Sequence, residues 1–195
     1  MWPMTRIWFT ADHHLDHENI IRFCSRPFDN AGHMNAALID NWNAVVKPAD
    51  TVYHLGDLTL GGLGVAKNYL RRLNGRVILL ANWTHHDKRW LKPLRHALAC
   101  AAGWPCTASG AEIELAEPLI TIKVGGQIIV ACHFPLARWD REHYGSIHLH
   151  AHSHGRHHAE GKILDGGVDS AWKHLGAYRP FSLEEVVRIT REGEQ

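Results

Sequence analysis

Aspartate, asparagine and histidine recur along this chain in five short clusters, each at the end of an apolar run that reads as a β-strand. They are Asp12-His13-His14, Gly56-Asp57, Asn82 followed by His85-His86-Asp87, His133, and His152-Ser153-His154. Ligands in α/β sheets gather outside the carboxyl ends of strands, so this pattern asks for a fold that brings several such ends together. Carboxylate and amide oxygens and imidazole nitrogens suit divalent cations such as Mn, Fe or Zn. A pair of such cations in one cavity promotes attack of water on a phosphate ester, and that is the reaction class the clusters point to.

At 195 residues and 45% hydrophobic content the chain can bury a real core and is expected to form one domain spanning residues 1–195. A formal charge of +1 provides no bulk field for polyanions. Seventeen histidines approach the 21 lysines and arginines in number, so the chain turns cationic and any imidazole-held metal weakens as pH falls below about 6.5. Cys24, Cys100, Cys106 and Cys132 show no C-x-x-C spacing, which suits reduced thiols in the cytoplasm. With no signal-like or membrane-length apolar segment, a soluble protein is expected.

Residues 6–11 read as a buried first strand. Asp29 or Asn30 can cap a helix to about Val46, with Met34, Leu38, Trp42 and Val45 on one face and Pro48 stopping it. Residues 51–55 form a second strand, and Val65, Ala66, Tyr69, Leu70 and Leu73 mark a second helix closed by Asn74-Gly75. Residues 77–81 make a third strand, and the β-α-β-α-β rhythm predicts parallel pairing. Beyond residue 112 the texture changes. Residues 119–124 and 127–132 flank Gly125-Gly126 as a hairpin, strands follow at 146–151 and 162–168, and Ser182-Leu183-Glu184-Glu185 has capping-box spacing for a last helix. The sum is an α/β fold whose second sheet is the more antiparallel.

Asp12 and His14 are two residues apart, so in extended backbone both face one side and His13 faces away. His152 and His154 repeat that spacing. The two oxygens of Asp57 could bridge two cations, Asn82 offers a neutral oxygen, and Cys132 should turn to the core beside His133. Taken singly, a strand-end aspartate is more often a cap or turn residue, and His54, His96 or His174 more often structural. His148 and His150 either share the ligand side or stack as surface imidazoles. His17, Arg22, Arg26 and Arg138 carry donors suited to phosphate, with His17 and Arg26 the foremost choices. Trp83 and Trp139 could line a pocket for a base or aryl group.

The series D-x-H, G-D, N-followed-by-H-D, H and H-x-H resembles the calcineurin-like metallophosphoesterase superfamily. Within it the chain is most similar to small single-domain bacterial and phage phosphoesterases. FTADHHLDHENIIRFCSRPF, DTVYHLGDLTLG and a closing GVDSAW…YRPFSLEEV carry the likeness. The resemblance implies two mixed sheets packed face to face and flanked by helices, in four layers. It implies two divalent ions, Mn first and otherwise Fe, Zn or Ni. Asp12, His14, Asp57 and His154 would hold one, and Asp57, Asn82, His133 and His152 the other. It further implies in-line attack of metal-bound hydroxide on phosphorus, with a histidine protonating the leaving oxygen.

In such families the acid histidine directly follows the ligand asparagine, whereas here Asn82 is followed by Trp83-Thr84-His85-His86-Asp87, and Ala81 replaces the preceding glycine. Either three residues are inserted and His86-Asp87 is the displaced catalytic pair, or Trp83 replaces the acid. Insertion is the preferred account, because HHDK restores the pattern at once. The expected function is hydrolysis of a phosphodiester or a small phosphorylated metabolite or nucleotide. Alternatives are a non-catalytic scaffold with this fold, or a nuclease, although no lysine-rich stripe supports duplex binding.

Overall fold

The computed structural model describes residues 5–83, 86–99, 107–111, 113–157 and 159–192. His85, Cys100 and Cys106 lie outside the described residues.

Strands β1 (Ile7–Thr10), β2 (Thr51–His54), β3 (Arg76–Leu80) and β4 (Ile113–Ala116) pair in parallel. Between them run helices α1 (Glu18–Phe23), α2 (Ala31–Val45), α3 (Leu63–Leu70) and α4 (Lys88–Ala99). The second sheet takes β5 (Leu119–Val124), β6 (Gln127–Cys132), β7 (Ile147–His150) and β8 (Ile163–Asp165) in that order. Helix α5 (Val168–Leu175), strand β9 (Phe181–Ser182) and helix α6 (Leu183–Glu192) complete the chain. β9 returns antiparallel to β1, giving a five-stranded order β4-β3-β2-β1-β9. Both sheets are therefore mixed.

Alternation along β1 divides the interior in two. Trp8 joins Val52, Val77 and Leu79 under Met34, Leu38 and Trp42 of α2 and Trp90 and Leu94 of α4. Its neighbour Phe9 joins Leu55 and Leu80 against Ile129, Ala131, Leu149 and Leu164 of the other sheet. The two sheets thus share a core, to which α5 and α6 add Ala171, Val186 and Ile189. Complete burial of side chains such as Phe9 and Trp42 contributes on the order of 2–3 kcal/mol each.

Local signals hold where they were strong. The Asn30 side chain accepts from the His33 N–H at 2.9 Å, settling the cap of α2. Ser182 Oγ accepts from the Glu185 N–H and Glu185 Oε2 from the Ser182 N–H, a reciprocal capping box. The hairpin has the predicted register, Val124 opposite Gln127. The second sheet is the more antiparallel of the two, as expected, through that hairpin alone, since β6, β7 and β8 run parallel. One expectation needs correction. The strand expected over 162–168 ends at Asp165, where Gly166-Gly167 turn the chain into α5.

Candidate metal centre

Parallel strands place their carboxyl ends together, and the two sheets bring those ends to one place. Asp12 follows β1, Asp57 follows β2, Asn82 follows β3, His133 follows β6, and His152 and His154 follow β7. The loops are zipped by backbone bonds from Asp12 N to Gly56 O and His14 N to Asp57 O, both 3.0 Å. Val168 N to Ala11 O at 3.1 Å and Ala151 N to His133 O at 2.9 Å draw in the other sheet.

Two triads result. One ligand atom each from Asp12, His14 and His154 lie within 4.8 Å of one another, and so do those from Asp57, His133 and His152. Asp57 joins them: its Oδ2 is 3.5 Å from His14 Nε2 and 3.6 Å from His133 Nε2. Asn82 is buried at the same strand ends.

Extended backbone is not what aligns these pairs. Asp12, His14, Asp57, His152 and His154 all have positive φ, at 57°, 51°, 58°, 66° and 51°. None is in extended backbone, so pleat alternation does not align them. Left-handed turns do, and such conformations in non-glycine residues concentrate where function requires them. His13 does face away, with its Nδ1 3.0 Å from His54 Nε2. Gly56 N–H donates to His54 Nδ1 at 3.2 Å. In neutral His54 the proton therefore sits on Nε2 and is given to His13. Both rings are buried and held below the ordinary histidine range by that burial; His54 and Arg26 add to it at His13, while at His54 the Asp57 charge pulls the other way.

A cation would satisfy what the protein leaves open. Asp12 Oδ1 and both ring nitrogens of His14 are buried and make no hydrogen bond. Burial and then the Asp165 carboxylate push Asp12 well above the usual carboxylate range, with Asp57 and Asp169 adding to it. Clustered carboxylates in a dry site are stabilised when a cation takes up their charge. Burial holds His14 well below its ordinary value, so its ring is a neutral lone-pair donor.

Outer contacts fix which nitrogens face inward. His133 Nδ1 lies 3.1 Å from Leu55 O, which places its proton there and its lone pair on Nε2, toward Asp57. His154 Nδ1 is 2.7 Å from Asp169 Oδ2. Burial lowers the His154 pKa, but the bonds to Asp169 and Cys24 and the nearby Asp12 outweigh it and push it up to about 10. Gly56 and Gly167 are spaces the site needs: a Cβ on Gly56 would lie 2.8 Å from His133 Nδ1, and one on Gly167 2.6 Å from Asp12 Oδ2.

Arg26 is not a phosphate contact. Its Nε and Nη2 donate to the two Asp169 oxygens, both at 2.8 Å. The remaining donors go to the carbonyls of His13 at 2.9 Å and Asp12 at 2.7 Å and to Met34 Sδ at 3.3 Å. The guanidinium is fully buried and committed. His17 does sit at the site, its ring 5.6 Å from that of His14. His86 is exposed there too, its ring 5.7 Å from His14.

Asp87 departs from its expected partnership. It is buried, and it accepts from the N–H groups of Leu58 and Thr59 and from Trp90 Nε1. Burial and then the Asp57 charge push it up to about 7. It therefore holds the loop that presents Asp57. Trp83 packs on the first core with the Arg95 guanidinium 5.5 Å over its ring. It lines a cleft of about 390 Å³ with Arg76 and Glu114.

His148 and His150 are neither surface stacks nor site contacts. Both are buried; His148 Nδ1 meets Val130 O and its Nε2 accepts from the Leu136 N–H. Trp139 covers His148 at 5.3 Å and donates to Ser146 O, away from the triads. Reading the sequence alone missed Asp165 and Asp169. Asp165 accepts from Ser153 Oγ at 2.5 Å and Gly155 N at 2.7 Å, shaping the turn that carries His152 and His154. The signal was there in Asp165-Gly166-Gly167-Val168-Asp169, two carboxylates about a glycine turn.

The chain is 29% identical, over 98% of its length and 94% of the relative's, to an uncharacterized protein of Methanocaldococcus jannaschii. It is 25% identical to the Gene 66 protein of Mycobacterium phage L5, covering 88% of this chain and 90% of that one. A solved protein of unknown function from Aquifex aeolicus has the same fold, with a TM-score of 0.63 at 23% identity over 95% of this chain and 99% of its own. No family model matches the chain. These likenesses speak for the two-sheet α/β fold, and the chemistry rests on the side chains. Among the described residues no helix is long and apolar enough to cross a membrane.

Proposed function

We propose that the chain is a dinuclear metal-dependent phosphoesterase of the calcineurin-like kind, acting on a phosphodiester or small phosphorylated molecule. One observation carries this reading: the Asp57 carboxylate lies between the imidazoles of two separate three-ligand groups, at 3.5 and 3.6 Å. A single-ion site has no use for the five other donors of these two groups. Asp12, His14 and His154 with Asp57 would hold one cation, and His133, His152 and Asn82 with Asp57 the other. Their donor set suits Mn, Fe, Zn or Ni. When bound, the pair supplies water activated near neutral pH and neutralises phosphate oxygens.

The protein's own part follows from its contacts. Asp169 and Leu55 O engage the Nδ1 atoms of His154 and His133, which would leave each Nε2 for a cation. Asp87 fixes the 57–59 loop. His86, exposed beside His14 and next to His17 electrostatically, would give a ring proton to the leaving oxygen as the phosphorus–oxygen bond breaks. The packing of Trp83 against the core favours insertion over replacement after Asn82.

Hydrolysis of bis-p-nitrophenyl phosphate by Mn-loaded protein, compared with chelated protein, tests the reading. Metal-dependent turnover is expected. Its absence with metal bound would instead favour a non-catalytic scaffold.

A further inference from the structure

Phe23 is 64% exposed and Phe134 38% exposed, and each abuts a different half of the ligand cluster. Phe134 follows His133 directly; its ring centroid lies 5.0 Å from that of His133 and 4.8 Å from that of His152, edge-on to both. Phe23 ends α1, and its ring stands 6.4 Å from His17, which in turn covers His14 at 5.6 Å. Phe23 is also held in place by the ligand segment itself, because Arg156 Nη2, two residues past His154, donates to Phe23 O at 3.0 Å. Contacts link Phe23 through His17, His14, Asp57 and His133 to Phe134, so one exposed phenyl ring stands near each of the two histidine groups that Asp57 joins.

We infer that Phe23 and Phe134 form aromatic walls that take a planar ring on each ester arm of the substrate. This rests on the phosphoesterase reading and narrows it to a phosphodiester with two planar substituents, whose biological form is the internucleotide link of a dinucleotide or short single strand. A monoester or an alkyl ester would fill one wall or neither. Base faces in a duplex are already stacked and unavailable, whereas an unpaired base stacks on an aromatic side chain whatever its identity.

Calorimetric binding to Mn-loaded protein decides this without relying on turnover, with diphenyl phosphate, dimethyl phosphate and inorganic phosphate as probes. Diphenyl phosphate should bind about tenfold or more tighter than dimethyl phosphate, in keeping with the strength of ring stacking. Phe23→Ala and Phe134→Leu should each remove part of that preference and leave inorganic phosphate binding unchanged. Phe23→Ala, exposed and outside both triads, is decisive if Phe134→Leu alters phosphate binding. Equal affinity for the two diesters, or no effect of Phe23→Ala, would overturn the inference alone. Failure of all three probes to bind would overturn the phosphoesterase reading and the inference with it. A hydrolysis-resistant dinucleoside phosphorothioate should displace diphenyl phosphate, and its failure to do so would overturn the nucleotide assignment.

Discussion

Asp169 Oδ2 stands 2.7 Å from His154 Nδ1, while the other face of the same carboxylate is clasped by Arg26. Three distant segments meet there, and the contact commits the Nδ1 of His154. Asp169→Ala removes the orienting partner and leaves a buried guanidinium uncompensated. Chemical denaturation should show a loss of about 3–5 kcal/mol. In whatever fraction remains folded, Mn affinity should fall about 10–100-fold. An unchanged denaturation midpoint would show that the buried pair is not holding these segments.

Gly56 has φ +122°, and a Cβ there would sit 2.8 Å from the His133 ring. Gly56→Ala should therefore cost about 1–3 kcal/mol from backbone strain alone. It should also displace His133 and weaken Mn binding more than Gly62→Ala, where no atom lies within 4 Å of the added carbon. Comparable metal affinity in the two variants would count against the placement of His133.

Burial holds His148 down to about 4, below its ordinary 6.5, with the His150 and His157 imidazoles adding to the depression. The unfolded chain therefore binds a proton at His148 that the folded chain refuses between those values. Stability should be full above about pH 6.5 and decline as pH falls toward 4. The contribution is on the order of 3 kcal/mol at 1.36 kcal/mol per unit. His148→Gln keeps a donor and an acceptor for Val130 O and the Leu136 N–H but cannot titrate. Urea titrations across this window should give the variant a flatter profile, and identical slopes would refute the assignment.

His86 and Asp87 are adjacent yet differently employed, which two substitutions can separate. His86→Ala should leave folding unchanged and lower turnover of esters with poor leaving groups by about 10²–10⁴-fold, with little effect on activated aryl esters. Asp87→Ala strands the Leu58 and Thr59 N–H groups and should cost about 1–3 kcal/mol of stability. Equal kinetic losses on both ester types would remove His86 from the acid role.

Much of this was legible in the sequence, and the physics explains where it was not. The capping box at Ser182 and Glu185, the Asn30 cap and the Gly125-Gly126 hairpin are local, so short-range chemistry decides them. The candidate ligands stand out because their residue types and strand-end positions are unusual together. Their left-handed backbone was hidden, since residue spacing is silent about φ. Arg26 looked like a surface phosphate donor because the Asp169 that buries it lies 143 residues away. Helix α4 carries Pro93 in its interior, a residue that argues against a helix although Trp90, Leu91 and Leu94 fall at helical spacing. Asp87 read as a catalytic partner because sequence adjacency to His86 says nothing of the Leu58 and Thr59 amides it serves.

The most direct measurement is metal stoichiometry by elemental analysis after equilibrium dialysis against Mn(II), for the wild type and for Asp57→Asn. Two ions per chain are expected in the wild type, and loss of the second ion or of both in the variant, because Asp57 Oδ2 is the atom within reach of both histidine groups. No bound metal after loading, or two ions retained without the Asp57 carboxylate, would contradict the shared-carboxylate centre.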